Sequence, residues 1–307
     1  GVGLMYPHGY FRQHIDASGW QQEIYQELDF RDTAIAPVRP GPDGTCTAIT
    51  TMPLEGRTVR LGAYLVRVGS VELYLVCTDV EGNSPEDRQL NSRLYMADPK
   101  RRLQQELALG IGGVRILESL GISPTIWHGN EGHTAFMMME RVRRLREAGA
   151  GHDEAVQKVK RNTIFTTHTP VPAGHDVFSI AMMDTQMSSY WIEPGAERDS
   201  LLALGRVAHH GDGFNMTAAA MRTSERCNGV SELHGEVARS MWQPSLWPDK
   251  GVSEVPITHI TNGVHVPTWL ANEFVELSID NITNANPGSL TSTQLVITDN
   301  DGLDDAI

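Results

Sequence analysis

Apolar and polar positions follow two different patterns along the chain, and the pattern changes near residue 100. Residues 58–68 and 71–80 are rich in β-branched and aromatic side chains and are separated by Gly69 and Ser70. Two such runs around a short turn predict an antiparallel hairpin. Residues 102–120 then place apolar side chains at helical spacing, which predicts a helix that stops at Gly121.

Three glycines interrupt this helix at Gly110, Gly112 and Gly113. Each glycine in a helix interior lowers the stability of the helix by about 1 kcal/mol relative to alanine, so we expect these glycines to serve a structural or functional purpose. Close packing against another backbone is favoured over a dinucleotide-binding loop, because no strand precedes them as the GxGxxG pattern requires.

Strands and helices alternate after residue 120. Strands are predicted at 124–127, 162–167 and 256–261, and helices at 134–147 and 230–241. This alternation predicts an open, mainly parallel α/β sheet with right-handed crossovers. In the second helix, the apolar stripe expected to face the core consists of Val230, Leu233, Val237 and Met241.

Polar residues crowd the ends of the predicted strands. Residues 127–133 and 165–175 contain four histidines and Glu131, and residues 262–265 read Asn-Gly-Val-His. Ligands of open α/β sheets bind outside the carboxyl ends of the strands, so the three segments are expected to converge on one cleft. The four histidines are His128, His133, His168 and His175.

The spacing of these residues narrows the chemistry. His128, Glu131 and His133 are metal-ligand types, but they match neither HExxH nor HxxEH, and Gly129 and Gly132 disfavour a helix holding two ligands. A second metal-like group, His209, His210 and Asp212, is better interpreted as a solvated helix end. The sequence contains no GxSxG motif and no cysteine next to a histidine, so it gives no support to nucleophilic catalysis. A neutral pocket rich in hydrogen-bonding groups suits sugar hydroxyls.

Composition and charge exclude several partners. The 307 residues are 40% hydrophobic, enough for a substantial core, and 25 basic against 38 acidic residues give a formal charge of −13. We therefore expect neither nucleic acid nor a membrane as a partner. The absence of a long apolar stretch or a charged leader predicts a soluble, cytoplasmic protein. The separated cysteines Cys46, Cys77 and Cys227 are expected to be reduced thiols.

A series of ordered motifs resembles the α-glucan (glycogen, starch, maltodextrin) phosphorylases of the short microbial type, from Gly1 to about Phe274. The motifs lie at 83–88, 93–95, 104–106, 109–115, 127–136, 165–178, 214–218, 228–237 and 261–270. The resemblance implies a Rossmann-like, mainly parallel sheet lobe of a GT-B-type glycosyltransferase, with an antiparallel, sheet-rich N-terminal part.

The resemblance also implies roles for individual residues. His168 corresponds to the catalytic-site histidine that binds the 6-hydroxyl of the sugar at the cleavage point, and Asn262 to the asparagine sharing that hydroxyl. Glu131 and His133 match residues lining the acceptor side of the cleft, and Asp98 falls in a short loop resembling the gate over the site. Without the resemblance, Asn262 reads as a turn residue and His133 as a helix cap.

The implied reaction is reversible phosphorolysis of an α-1,4-glucan, with inorganic phosphate as co-substrate, glucose 1-phosphate as product and pyridoxal phosphate as cofactor. The family's glycine-rich phosphate loop and its cofactor lysine have no counterpart in this sequence, so we expect the chain alone to be inactive and to bind no cofactor. Residues 1–277 are then part of the N-terminal, glucan-binding lobe, and residues 278–307 are an off-family polar, acidic tail, either disordered or an unrelated extension. A homodimer is expected only for the intact enzyme.

Two other classes stay open. A noncatalytic glucan-binding module would hold oligosaccharides on aromatic side chains such as Trp20, Tyr95 or Trp127. A lobe of a nucleotide-sugar-dependent GT-B glycosyltransferase would instead require a nucleotide-sugar donor.

Overall fold

The computed structural model describes residues 1–8, 11–25, 29–31, 33–93, 97–207 and 213–265. The chain divides into two units, residues 1–261 and 262–307. The strands of the first unit are β1 (Val2–Met5), β2 (Arg12–Ile15), β3 (Gln21–Ile24), β4 (Ala36–Pro37), β5 (Thr50–Leu54), β6 (Arg57–Val68), β7 (Val71–Cys77), β8 (Trp127–Asn130), β9 (Thr163–Thr166), β10 (Val177–Ser179), β11 (Gly213–Asn215), β12 (Arg226–Gly229) and β13 (Ile257–His259). The helices are α1 (Pro85–Arg88), α2 (Pro99–Leu107), α3 (Gly113–Ser119), α4 (Ala135–Glu147), α5 (His152–Arg161), α6 (Ile180–Gln186), α7 (Arg198–Ala203), α8 (Met216–Arg222) and α9 (Glu232–Leu246).

The first part of the chain forms a mainly antiparallel sheet. Strands β6 and β7 pair antiparallel from Gly62–Cys77 to Val68–Val71, so the predicted hairpin is confirmed. Strand β1 adds parallel to β7, and β4 and β5 each pair antiparallel with β6. In the first half of β6 the alternate residues Val59, Leu61 and Ala63 are fully buried, as expected for a sheet that covers a core on one face.

The predicted helix after residue 100 is present, but it starts earlier and has three parts. Helix α2 passes into a π-helical turn at Ala108–Gly112 and continues as α3. A Cβ on Gly110 would lie 2.6 Å from the Cβ of Phe136 and 2.7 Å from the backbone nitrogen of Met137. The close-packing interpretation of this glycine is therefore confirmed, since only glycine lets the two backbones approach so closely.

The second part of the first unit contains a parallel sheet in the order β13-β12-β9-β8 over the described residues. The predicted parallel α/β arrangement is confirmed, although β12 was not anticipated. The strand predicted at 124–127 is wrong in position, because β8 begins only at Trp127. Ile126 is 63% exposed, whereas Gly129 turns inward and leaves room for Met138 and Thr134.

Helix α9 turns a different face to the core than its apolar stripe predicts. Leu233 is 70% exposed, and the residues that are buried are His234, Gly235, Ala238 and Trp242. The ring nitrogen Nδ1 of His234 accepts the backbone N–H of Val230 at 3.1 Å, which fixes the turn from β12 into the helix. This local hydrogen bond and the close approach of Gly235 to His259 set the rotation of the helix.

A buried ion network joins α3 to α4. Glu140 is completely buried and accepts hydrogen bonds from Arg115 and Arg143, each at 2.9 Å, and from the hydroxyl of Tyr190 at 2.9 Å. Burial alone would raise the pKa of Glu140, but these partners hold it below its ordinary value. The network therefore holds α3, which packs on β5 and β6 of the antiparallel sheet, against α4.

Some predictions fall on residues outside the described ranges: the acidic tail at 278–307, the group His209, His210 and Asp212, and Tyr95. The domain boundary at 277 is likewise not tested and stays a prediction. In the part of the chain that the structure describes, no helix has the length and apolar character to cross a bilayer.

Candidate functional site

A polar cleft opens at the carboxyl ends of β8 and β9. It encloses about 590 Å³, a volume in the range of small-molecule sites. Its lining residues are Arg102, Asn130, Glu131, His133, His168, Thr169, Gly174 and Asp176. Three of the residues singled out from the sequence, Glu131, His133 and His168, therefore lie around one cavity.

Glu131 ties the turn after β8 to the loop after β9. One carboxylate oxygen, Oε2, accepts the backbone N–H of His168 at 2.7 Å and the hydroxyl of Thr169 at 3.1 Å. The other, Oε1, accepts the backbone N–H of Gly132 at 3.1 Å. A carboxylate has acceptor sites for all these donors, so its charge is satisfied within the protein.

The backbone of Glu131 is strained. Its φ of 71° with ψ of 163° is a conformation that residues with a side chain rarely adopt. Such a residue costs about 1–3 kcal/mol and persists only where its surroundings enforce it. Here the N–H of Glu131 also donates to the carbonyl of Thr166 at 2.8 Å, so both its backbone and its side chain are fixed by the β9 segment.

His133 and His168 face the cleft in different environments. His133 sits in the 3₁₀ turn Gly132–Thr134 and lines the cleft. Burial first, and the charge of Arg102 second, lower its pKa to about 4, so the ring is neutral near pH 7. His168 is exposed to the cleft, and its backbone, rather than its ring, is held by Glu131. His128 lies beside it and contacts the Thr166 hydroxyl through Nε2 at 2.8 Å.

Arg102 enters the cleft from α2 together with two carboxylates. Its Nε lies 2.7 Å from Oε1 of the fully buried Glu106, and its Nη2 lies 3.0 Å from Oδ2 of Asp176. Burial and the neighbouring Asp176 raise the pKa of Glu106 well above its ordinary value, although Arg102 opposes this. The guanidinium is thus engaged by acidic groups of its own chain.

Two other predicted site residues lie elsewhere. Asp98 is the N-cap of α2, where its side chain accepts the N–H of Lys100 at 3.2 Å, and it is not among the residues lining the cleft. Asn262 is the first residue of the second unit, so its role stays a prediction. Of the candidate aromatic platforms, Trp20 is 73% exposed, whereas Trp127 is half-buried with the guanidinium of Arg141 4.6 Å from its ring centroid.

Sequence reasoning missed Arg102 and Asp176 as parts of the cleft. Arg102 and Glu106 form an i,i+4 charge pair on the face of α2 that also carries Leu103 and Leu107, which is a usable signal. Asp176 follows His175 within the second polar segment, and a single aspartate beside the histidines has no spacing that distinguishes it as a site residue. Among the described residues, no group of three or more His, Cys, Asp or Glu side chains is placed to hold a metal ion.

Comparisons with known proteins agree with the motif series. No protein-family model matches the chain. Over 276 residues the chain is 44% identical to the maltodextrin phosphorylase of Thermococcus litoralis, covering 90% of this chain and 32% of that protein. It is 37% identical over 288 residues to the glycogen phosphorylase of Mycobacterium tuberculosis, covering 90% and 33%. The corresponding enzyme of Aquifex aeolicus is 34% identical over 279 residues, covering 90% and 39%.

The fold and the cleft together define a mixed α/β protein with a polar cleft at the carboxyl edge of a parallel sheet. Within that class, the chain is homologous to the maltodextrin and glycogen phosphorylases, and the resemblance drawn from its motifs is confirmed. The chain spans about a third of the length of the curated relatives it matches.

Proposed function

We propose that this chain forms the glucan-binding part of an α-glucan phosphorylase, and that its parallel sheet belongs to one lobe of a two-lobed GT-B glycosyltransferase. The complete protein would cleave the terminal α-1,4 bond of a glucan with inorganic phosphate and release glucose 1-phosphate. The observation that carries the proposal is the cleft at the ends of β8 and β9, in a chain homologous to enzymes named for maltodextrin and glycogen.

The balance of charge in the cleft favours a neutral ligand. Glu131 is saturated by donors of its own chain, and Arg102 is engaged by Glu106 and Asp176. The groups left to a ligand include the ring of His133, which is neutral near pH 7, and the exposed ring of His168. A neutral imidazole offers one donor and one acceptor, as does a sugar hydroxyl, so the two can pair without burying net charge.

Individual roles follow from this chemistry and from the family resemblance. His168 binds the hydroxyl of the sugar at the cleavage point, with Asn262 as its partner, and His133 binds the neighbouring glucose unit. Glu131 holds the backbone of His168 in place, so it is a positioning residue as well as part of the cleft wall. Asp98 acts at the start of α2, one helical turn before Arg102, as part of a gate.

Pyridoxal phosphate, which the family implies for the whole enzyme, does not fit this cleft. A phosphate ester needs cations or open backbone amides. Arg102 is engaged by two carboxylates, and no lysine is among the residues lining the cleft. We assign cofactor and phosphate binding to the regions of the relatives that this chain does not match, which amount to about two thirds of their length.

Calorimetry with maltoheptaose tests the binding role. The chain is expected to bind this α-1,4 oligosaccharide saturably and to ignore its β-1,4 counterpart. His168→Ala removes one hydrogen bond to the sugar and is expected to weaken binding about tenfold. His14→Ala, on the exposed strand β2, is the matched control and is expected to bind as the wild type does. Equal affinity of the His168 variant and the wild type would refute the role of His168.

An activity assay tests the reaction. The chain alone is expected to release no glucose 1-phosphate from maltodextrin and phosphate, whereas a protein that adds the relatives' remaining regions is expected to do so. Turnover by that longer protein with a nucleotide-sugar donor in place of phosphate would establish the synthase class instead. Glucan binding without either reaction would establish a noncatalytic module.

A further inference from the structure

Two cysteines that are 31 positions apart in sequence meet inside the antiparallel sheet. Cys77 ends β7 directly opposite Gly62 of β6, and Cys46 lies on the segment that crosses this point. A Cβ on Gly62 would overlap the sulfur of Cys46, so the absence of a side chain there makes room for that sulfur. Both cysteines are only 3% exposed.

The two side chains are neighbours because the sulfur of Cys46 fills the space left by Gly62, the residue directly across the sheet from Cys77. The thiol of Cys77 donates to the carbonyl of Asp79 at 3.7 Å. The neighbouring thiol of Cys77 is the main reason that the pKa of Cys46 lies below its ordinary value. The pKa of Cys77 is raised by the neighbouring Cys46 and by burial. The sulfur of Cys46 also lies 3.5 Å from the carbonyl oxygen of Ala63. Of the two thiols, that of Cys46 is therefore the more readily ionised.

We propose that Cys46 and Cys77 are a redox-active dithiol that a small disulfide, such as oxidised glutathione, converts into an intramolecular disulfide. The Cys46 thiolate attacks one sulfur of the oxidant, which forms a mixed disulfide and releases one small thiol. Cys77 then attacks the Cys46 sulfur, which forms the protein disulfide and releases the second small thiol. The two protons of the protein thiols end on the two released thiols, and one disulfide is reduced for each one formed.

The fold gives the oxidant a route to Cys46. The segment before Cys46 is a tight turn closed by the Pro40–Cys46 bridge and by the N–H of Gly41, which donates to the carbonyl of Thr45 at 2.8 Å. Residues 42–45 are exposed. Opening such a short surface turn requires little unfolding, so Cys46 becomes accessible without disruption of β6 and β7.

The third cysteine is an internal control. Cys227 lies in β12 of the parallel sheet, where burial raises its pKa to about 12. It has no second cysteine beside it among the described residues, so it is expected to stay a thiol when the pair is oxidised.

Treatment of the folded chain with oxidised glutathione, followed by alkylation and peptide mapping, tests the proposal. We expect the wild type to lose two of its three thiols, with Cys46 and Cys77 joined and Cys227 alkylated after denaturation. A disulfide closing a loop of this size should raise the melting temperature by about 5–10 °C, and a reductant should reverse the rise. Cys227→Ser is expected to behave as the wild type does.

Two results would overturn the proposal. One is a cross-link that forms in the urea-unfolded chain but not in the folded chain. The other is a cross-link or a stable glutathione adduct that involves Cys227 instead. Both are read from the wild-type chain, so the result does not depend on how well a variant folds, and neither requires glucan binding or activity.

Discussion

Replacement of Glu131 by glutamine tests whether this carboxylate holds the cleft together. A carboxamide has a single oxygen, so its NH₂ group must face the donors on one side, either those of His168 and Thr169 or that of Gly132. A hydrogen bond to a charged acceptor contributes about 1.5–3 kcal/mol to stability. A buried donor that faces another donor costs more than the loss of that hydrogen bond, because the donor stays without an acceptor. We expect the free energy of unfolding of Glu131→Gln to fall by about 3 kcal/mol.

Urea unfolding followed by tryptophan fluorescence measures this change. The matched control is Glu154→Gln, which removes the same charge from an exposed i,i+4 pair with Lys158 at 2.7 Å. Exposed pairs of this kind contribute little to stability, because water and salt screen them. If the two variants were equally stable, the carboxylate of Glu131 would not be holding the two loops, and its strained backbone would need another explanation.

Three further predictions concern packing, charge and pH. Gly110→Ala places a methyl group against the backbone of α4 and should lower the free energy of unfolding by about 2–3 kcal/mol. Gly151→Ala is the control, because the space around Gly151 is open, and it should lower the free energy of unfolding by less than about 1 kcal/mol. Equal losses in the two variants would refute the close approach of the backbones at Gly110. Glu140→Gln leaves two buried guanidinium groups short of charge and should cost about 3–5 kcal/mol in the same assay, so a loss under about 1 kcal/mol would refute the network. The pKa of His133 is lowered to about 4, below that of an unfolded histidine, so its contribution to stability is present at pH 7 and lost as the pH falls toward 4. When the pH is lowered from 7 to 5, the free energy of unfolding of His133→Asn should therefore fall by about 1 kcal/mol less than that of the wild type, a figure that allows for solvent screening in the open cleft. Equal falls in the two proteins would refute the lowered pKa of His133.

The parts of the fold that depend on local pattern could be predicted from the sequence. The hairpin of β6 and β7 follows from two β-rich runs around Gly69 and Ser70, and the helices α4 and α9 follow from apolar spacing. The placement of Glu131, His133 and His168 around one cavity follows from a topological rule, because the carboxyl ends of parallel strands share one edge of the sheet.

The parts that depend on tertiary contacts could not be predicted in this way. The start of β8 is set by Gly129, which turns inward beneath Met138, so polar residues occupy the strand itself. The rotation of α9 is set by the hydrogen bond of His234 to Val230, against the preference of its apolar stripe. The contact between Cys46 and Cys77 arises from the register of three chain segments, and no local spacing signals it.

The cleft assigns different tasks to its charged and neutral groups. Its charged side chains hold the protein itself: Glu131 fixes the loop of His168, and Arg102 joins α2 to the segment carrying Asp176. Because those charges are already paired, a phosphate entering here would find no free arginine or lysine among the described lining residues. It would also lie close to the carboxylates of Glu131 and Asp176, which would repel it. A glucose unit faces no such repulsion and can pair with the neutral ring of His133. The geometry therefore supports the proposal that this chain binds the sugar while groups outside this cleft handle the phosphate.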